Sequence, residues 1–249
     1  MRTYAQYCPI VRAAEILGDR WTLLIVREML NGVRRFNDIA RGLPGLSRAL
    51  LSRRLRQLQN AGLVVRSADG YELTRAGRDL RGLVLGLAAW GARYAFGDPR
   101  PDELDPETLM WWLHGRIDTS DVTGRAVIQI EVSDHRRTFW LVVEPGDASV
   151  CYVDPGFDID AVLASDLATL YRMWEGEIEL RDAIRDGAIT LTGARWIVRG
   201  LPDWLLLSPV APHVRAARLA SSAAFDEVAD DVGAGMSRAG AVPARVDLG

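Results

Sequence analysis

Arg34 and Arg35 stand side by side, and a second group of arginines, Arg48, Arg53 and Arg56, follows in a segment that opens with Ser47. A guanidinium carries a fixed charge and a planar fork of donors, which suits phosphate oxygens or the O6 and N7 edge of guanine. The spacing separates those uses. Ser47, Arg48 and Ala49 fall at the start of a predicted helix, the part that meets base edges in a major groove. Ser52 and Arg53 lie one turn further on the same face. Arg34, Arg35 and Arg56 are placed for phosphates, which fix register without reading sequence. Arg66 flanks a short ribbon that would reach an adjacent groove or backbone.

The elements that must position these groups are legible in the first part of the chain. Pro9 opens a helix whose apolar residues run to Leu17 and stop at Gly18. Asp19 is the expected N-cap of a second helix, Trp21–Leu30, ended by Asn31 and Gly32. A third begins near Arg35 and ends at the turn around Pro44 and Gly45. Ser47 caps the next, which runs to about Ala61 and closes on Gly62. In it Leu51, Leu55 and Leu58 recur at helical spacing as a buried stripe. Asp69-Gly70 between two β-prone runs predicts a hairpin. A long helix from about Arg75 to Phe96 follows.

Charge divides along the same line. Residues 1–97 hold 16 arginines against 7 carboxylates, a balance of +9, whereas residues 98–249 balance at −12 for a net charge of −3. A basic unit joined to an acidic one implies two tasks, and the basic unit is the one suited to a polyanion. Two cysteines, Cys8 and Cys151, are too few for a disulfide framework, and three separated histidines give no metal site. No cofactor is implied. No nucleophile–base set or paired carboxylates emerge, which argues against an enzyme. No apolar run approaches a membrane span, no secretory leader is visible at the start, and the chain reads as cytoplasmic.

Residues 98–103 form a linker rich in Pro and Asp. Beyond it a helix is expected at Pro106–His114, with strands at Arg125–Val132, Arg137–Glu144 and Ser149–Val153. Helices are then expected at Ile159–Trp174 and Leu180–Gly187, a strand at Ala188–Thr192, and a helix at Ala194–Leu207. Helices on an antiparallel sheet make this second unit, 104–217, an α+β domain and the whole chain α+β. The segment 218–249 is expected to be mobile, since its final stretch from Asp226 is rich in Gly, Ala and Asp and lacks periodicity. Six of the 8 tryptophans follow residue 110. Trp111, Trp112, Trp140 and Trp174 are candidates for lining a ligand pocket, with ordinary core filling as the alternative use.

The run Cys8-Pro9-Ile10, the run from Gly18 to Ile25, Arg34 to Ile39, Leu51 to Gly62, and Leu73-Thr74-Arg75-Ala76-Gly77 together resemble the HxlR-type winged helix-turn-helix regulators over about residues 5–97. The resemblance implies a homodimer built from the N-terminal helices and the 75–96 helix, bound to a double-stranded DNA operator. The wing at 67–70 is shorter than in many of that family. In some relatives a cysteine at the Cys-Pro position senses oxidants, a role Cys8 would inherit, alongside that of a small apolar residue starting a helix.

Residues 104–217 are similar, more loosely, to the sterol-carrier-protein type of lipid-binding domain, through Asp166–Leu170, Trp174–Glu177 and Ala183–Gly193. That likeness implies a sheet and helices around an apolar tunnel, and hence an apolar small-molecule ligand that tunes a dimeric repressor. The competing reading is an apolar-ligand carrier in which the N-terminal unit serves only dimerisation.

Overall fold

The computed structural model describes residues 4–221. Helix α1 (Pro9–Leu17) carries proline in its first turn as expected, and of its residues only Leu17 is buried. Helix α2 (Thr22–Leu30) is not capped by Asp19. Trp21 occupies the cap position with φ of 79°, and the Asp19 carboxylate accepts from Arg54 instead. A carboxylate beside a largely buried guanidinium forms the stronger, charge-assisted bond there.

Helices α3 (Phe36–Arg41) and α4 (Arg48–Asn60) are joined by the turn through Pro44 and Gly45. The Ser47 hydroxyl accepts from the Leu50 N–H at 3.3 Å, so α4 begins where its cap dictates. Leu51, Leu55 and Leu58 are fully buried. Each contributes about 1.5–3 kcal/mol of apolar burial to the docking of α4. Gly62, with φ of 73°, ends the helix in the left-handed region.

Strands β1 (Val64–Ser67) and β2 (Gly70–Leu73) pair antiparallel, with Ser67 opposite Gly70. The expected single helix over 75–96 is two helices, α5 (Arg75–Asp79) and α6 (Arg81–Tyr94), meeting at Leu80. Two tethers explain the break. Gly77 packs so closely on the Leu63 carbonyl that a Cβ would lie 2.2 Å from its oxygen. Arg81 donates to the Leu30 carbonyl at 3.1 Å, drawing α6 towards α2 instead.

The segment read as a linker contains a 3-10 turn at Pro101–Glu103, and Asp98 pairs with Arg172 at 2.6 Å. Helix α7 (Pro106–His114) is capped by Asp105, which accepts from Thr108 N–H at 2.7 Å. Strands β3 (Ala126–Val132), β4 (Arg137–Glu144), β5 (Asp147–Cys151), β6 (Ala161–Ser165) and β7 (Thr190–Gly193) form one sheet in the order β5-β4-β3-β6-β7. The sheet is mixed rather than wholly antiparallel, because the chain crosses from β5 to the far side of β3 and β6 enters parallel to it.

The helix expected over Ile159–Trp174 is strand β6 followed by helix α8 (Leu167–Trp174). Ala161, Leu163 and Ser165 are buried while Val162 and Ala164 are half-buried, the alternation of a strand. Asp166 then caps α8 by accepting from Thr169 N–H at 2.9 Å. Helices α9 (Leu180–Arg185) and α10 (Arg195–Trp204) follow, and residues 211–221 are also helical.

Ile128, Ile130, Phe139, Leu141 and Val143 line the sheet face that meets Leu109, Met110, Leu167 and Leu170. The Tyr171 hydroxyl donates to the Asp105 carbonyl at 3.0 Å and accepts from the Asp105 N–H at 3.2 Å, tying α8 to the start of α7. Burial there pushes its phenol up to about 12. Of the tail expected to be mobile, residues 218–221 belong to the last helical stretch. The rest lies outside the described residues.

Candidate nucleic-acid interface

The candidate surface is built from α3, α4 and the β1–β2 ribbon. Ser47, Arg48, Ala49, Arg53 and Arg56 are exposed on α4 and at its cap, Ser52 is half-buried, and Arg34, Arg35 and Arg66 are exposed beside it. On α4, Arg53 and Arg56 are exposed while Leu51, Leu55 and Leu58 are buried.

Their engagements differ. Arg48 Nη1 donates to Asn37 Oδ1 at 2.8 Å, and its guanidinium lies 6.0 Å from the Phe36 ring centroid. It braces the two helices of the turn against each other, so reading a base would require sharing or releasing Asn37. Arg34 approaches Glu72 at 3.4 Å with both side chains well exposed, an ion pair that solvent screens. Arg66 stacks on Tyr71 across the ribbon at 5.6 Å. Among the described residues, no acid or aromatic ring engages the guanidinium groups of Arg35, Arg53 and Arg56.

Backbone contacts set the ribbon against the helices. Tyr71 N–H donates to the Arg34 carbonyl at 2.9 Å. Gly70, at φ of 132°, approaches that same carbonyl so closely that a Cβ would lie 2.5 Å from its oxygen. Thr74 Oγ1 donates to the Gly62 carbonyl at 2.7 Å, joining the end of α4 to the start of α5. The wing is thus held at both ends by positions where a side chain is absent or hydrogen-bonded.

Two residues of this assembly escape a reading of charge alone. Arg54 sits on the inner side of α4, 8% exposed, and holds Asp19, the Arg20 carbonyl and Gln57. Its place between Leu51 and Leu55 on the apolar stripe was the available signal: an arginine there must find partners or stay out of the core. Asn37, the brace for Arg48, carried no such signal.

Cys8 stands at the N-cap position of α1, half-buried, with no capping hydrogen bond from its side chain. The tryptophans divide. Trp111, Trp112 and Trp174 gather where the second part of the chain meets the first, with Arg41 5.2 Å from the Trp111 ring and Arg27 5.6 Å from the Trp112 ring. Trp140 does not join them. On β4, Phe139 and Leu141 point into the core, so Trp140 faces the opposite side of the sheet, paired with Gln129 and Cys151.

Among the described residues, no helix is long and apolar enough to cross a membrane, and no cluster of His, Cys, Asp and Glu suits a metal ion.

Residues 16–98 match the model of the HxlR-like helix-turn-helix family. The HTH-type transcriptional regulator Rv3095 of Mycobacterium tuberculosis is 49% identical over 98 residues, covering 36% of this chain and 60% of that protein. YvaP, an HTH-type transcriptional regulator of Bacillus subtilis, is 35% identical, covering 36% of this chain and 91% of that one. The quinone-bound structure of YodB from B. subtilis shows 31% identity over 35% of this chain and 99% of its own, with a TM-score of 0.33. The chain spans about 60% of the length of its mycobacterial relatives. These relatives are named as regulators of transcription, not as enzymes. By the match at 16–98 and by the share of YvaP that it spans, the chain belongs to the HxlR-like helix-turn-helix family.

Proposed function

We propose that this protein is a dimeric, DNA-binding repressor of transcription whose operator affinity responds to an apolar small molecule. The observation that carries the DNA-binding part is the outer face of α4. Ser47 fixes where the helix starts, the leucines fix which side is buried, and Arg53 and Arg56 are left exposed and unengaged among the described residues. Arg53 and Arg48 serve the bases, while Arg34, Arg35, Arg56 and Arg66 serve phosphates.

Support for a homodimer comes from α6, none of whose residues is buried. Leu83, Leu87, Trp90 and Tyr94 lie 51–63% exposed at spacings of four, three and four, one apolar stripe suited to a second copy. Residues 1–97 form the DNA-binding unit in this reading, 98–103 the connection and 104–217 the ligand-responsive unit. A five-stranded sheet with its helices supports the sterol-carrier-like assignment of the latter.

The test is binding of the intact protein to labelled genomic DNA over a range of salt. Neutralising several phosphates predicts that log affinity falls steeply and linearly with log salt. Uptake of apolar ligands with no salt-dependent DNA binding would instead establish the carrier reading.

Cys8 supports a second route of control, because its free thiol stands at the N-cap of α1, half-buried and without a capping hydrogen bond. Oxidant sensing predicts that diamide weakens operator binding by wild type and not by Cys8→Ser; equal losses would exclude it.

A further inference from the structure

At the junction of the two parts, α2 presents Arg27 and Glu28 towards Trp112 of α7 and towards Trp174 and Glu175 at the end of α8. Arg27 donates twice to Glu28 Oε1, at 2.6 and 3.0 Å, and lies over the Trp112 ring. Glu28 is only 2% exposed, and a Cβ on Gly42 would come within 2.3 Å of its Oε2. Its guanidinium partner is thus committed. Glu175 accepts from Ser208 but has no cation within ion-pair distance among the described residues. Burial pushes the carboxyls of both glutamates up.

A cavity of ≈ 120 Å³ is lined, among others, by Arg27, Glu28, Arg81, Trp112, Trp174 and Glu175. It shares Glu28, Trp112 and Trp174 with a cleft of ≈ 550 Å³ that continues to Arg34, Arg35 and Asp69 at the wing. Together they match the size of small-molecule sites, which run from about 300 to 1,000 Å³.

We propose that this cleft is the effector site, and that its ligand narrows the apolar effector above to a small molecule with a planar apolar body and one protonated nitrogen. The indoles of Trp112 and Trp174 receive the body, and the nitrogen takes its place at Glu175. The Arg27 guanidinium acts on Glu175 only from beyond ion-pair distance, being hydrogen-bonded to Glu28, so an incoming cation in direct contact relieves more of the cost of drawing this carboxylate out of water. Aromatic faces attract a desolvated cation further. The far end of the occupied cleft abuts Arg34 and Arg35, so the ligand acts on the residues assigned to phosphates. It shifts DNA affinity only by as much as it prefers one arrangement of cleft and wing over the other. The effector role rests on the DNA-binding reading; the occupancy of the cleft does not.

The experiment therefore measures ligand binding without DNA. Calorimetry on the full-length protein at neutral pH compares three probes of one shape: 1-naphthylmethylamine, 1-naphthylmethanol and 1-naphthoate. The amine is expected to bind at least about 10-fold more tightly than the other two. Glu175→Gln, with unchanged circular dichroism and melting, erases that preference, and Trp112→Leu weakens all three. Equal affinities, tighter binding of 1-naphthoate, or an amine preference that survives in Glu175→Gln would overturn the assignment. Amine binding that leaves wild-type DNA affinity unaltered would overturn the effector role. A protein that binds the amine but no DNA would contradict the regulator reading and leave the cleft's ligand class standing.

Discussion

Arg54, on the inner side of α4, donates to the carboxylate of Asp19 at the corner between α1 and α2. The same guanidinium reaches the Arg20 carbonyl at 3.2 Å and Gln57 at 2.7 Å, so one side chain ties α4 to the N-terminal corner. Arg54→Met strands the Arg20 carbonyl and leaves Asp19, 42% exposed, to be rehydrated. The expected loss is about 1–3 kcal/mol, and for Asp19→Asn about 1 kcal/mol, both read from urea unfolding. In a double-mutant cycle the two changes are expected to be less than additive. Full additivity would mean that the pair is not coupled.

Gly70 is the second anchor of the wing. Alanine there meets both a left-handed φ of 132° and the Arg34 carbonyl. Gly70→Ala is expected to cost about 1–3 kcal/mol. It should also weaken DNA binding, because the carbonyl displaced belongs to the residue beside Arg35. A variant with wild-type stability would show that the ribbon does not hold this close approach.

The apolar stripe on α6 predicts assembly. Replacing Trp90, 58% exposed, by glutamate places a charge in the centre of the proposed self-interface. Sedimentation should show monomer for Trp90→Glu and dimer for wild type at the same concentration, with DNA affinity falling as the second half-site contact is lost. A wild-type monomer, or an unchanged dimer in the variant, would remove α6 from the interface.

Tyr171 gives a prediction in pH. Its phenol is raised from 10.0 to about 12 by burial, with hydrogen bonds to Asp105 opposing and nearby carboxylates adding. Because the neutral form is favoured in the folded state, the associated stability is fully present below pH 10. It is lost as pH rises from about 10 towards 12, where the unfolded phenol ionises first. Ultraviolet titration should find this tyrosine ionising late, and Tyr171→Phe should flatten the alkaline fall in stability.

What was legible in the sequence was mostly local. Ser47, Gly62 and the leucines of α4 announce a helix with its start, end and buried side within the stretch 47–62, and the structure follows each of them. What failed depended on partners distant in sequence. Asp19 looked like a cap because nothing local revealed Arg54. The stretch 159–165 is a short apolar run whose period is ambiguous, and only pairing with β3 makes it a strand. Trp140 was grouped with the other tryptophans by residue type, whereas the pleat sends it to the opposite side of the sheet. The meeting of Glu28 with Trp112, Trp174 and Glu175 needs the whole fold, and no spacing along the chain announces it.

The account depends most on Arg53, exposed on α4 and unengaged, as a group that reads a base pair. Chromosomal occupancy and in vitro DNA affinity of Arg53→Ala, with folding verified by circular dichroism, test this directly. The account predicts retained fold and cleft binding, affinity for the best-bound sites lower by about 1–3 kcal/mol, and relaxed preference among sequences. Unaltered occupancy and unaltered sequence preference would contradict it.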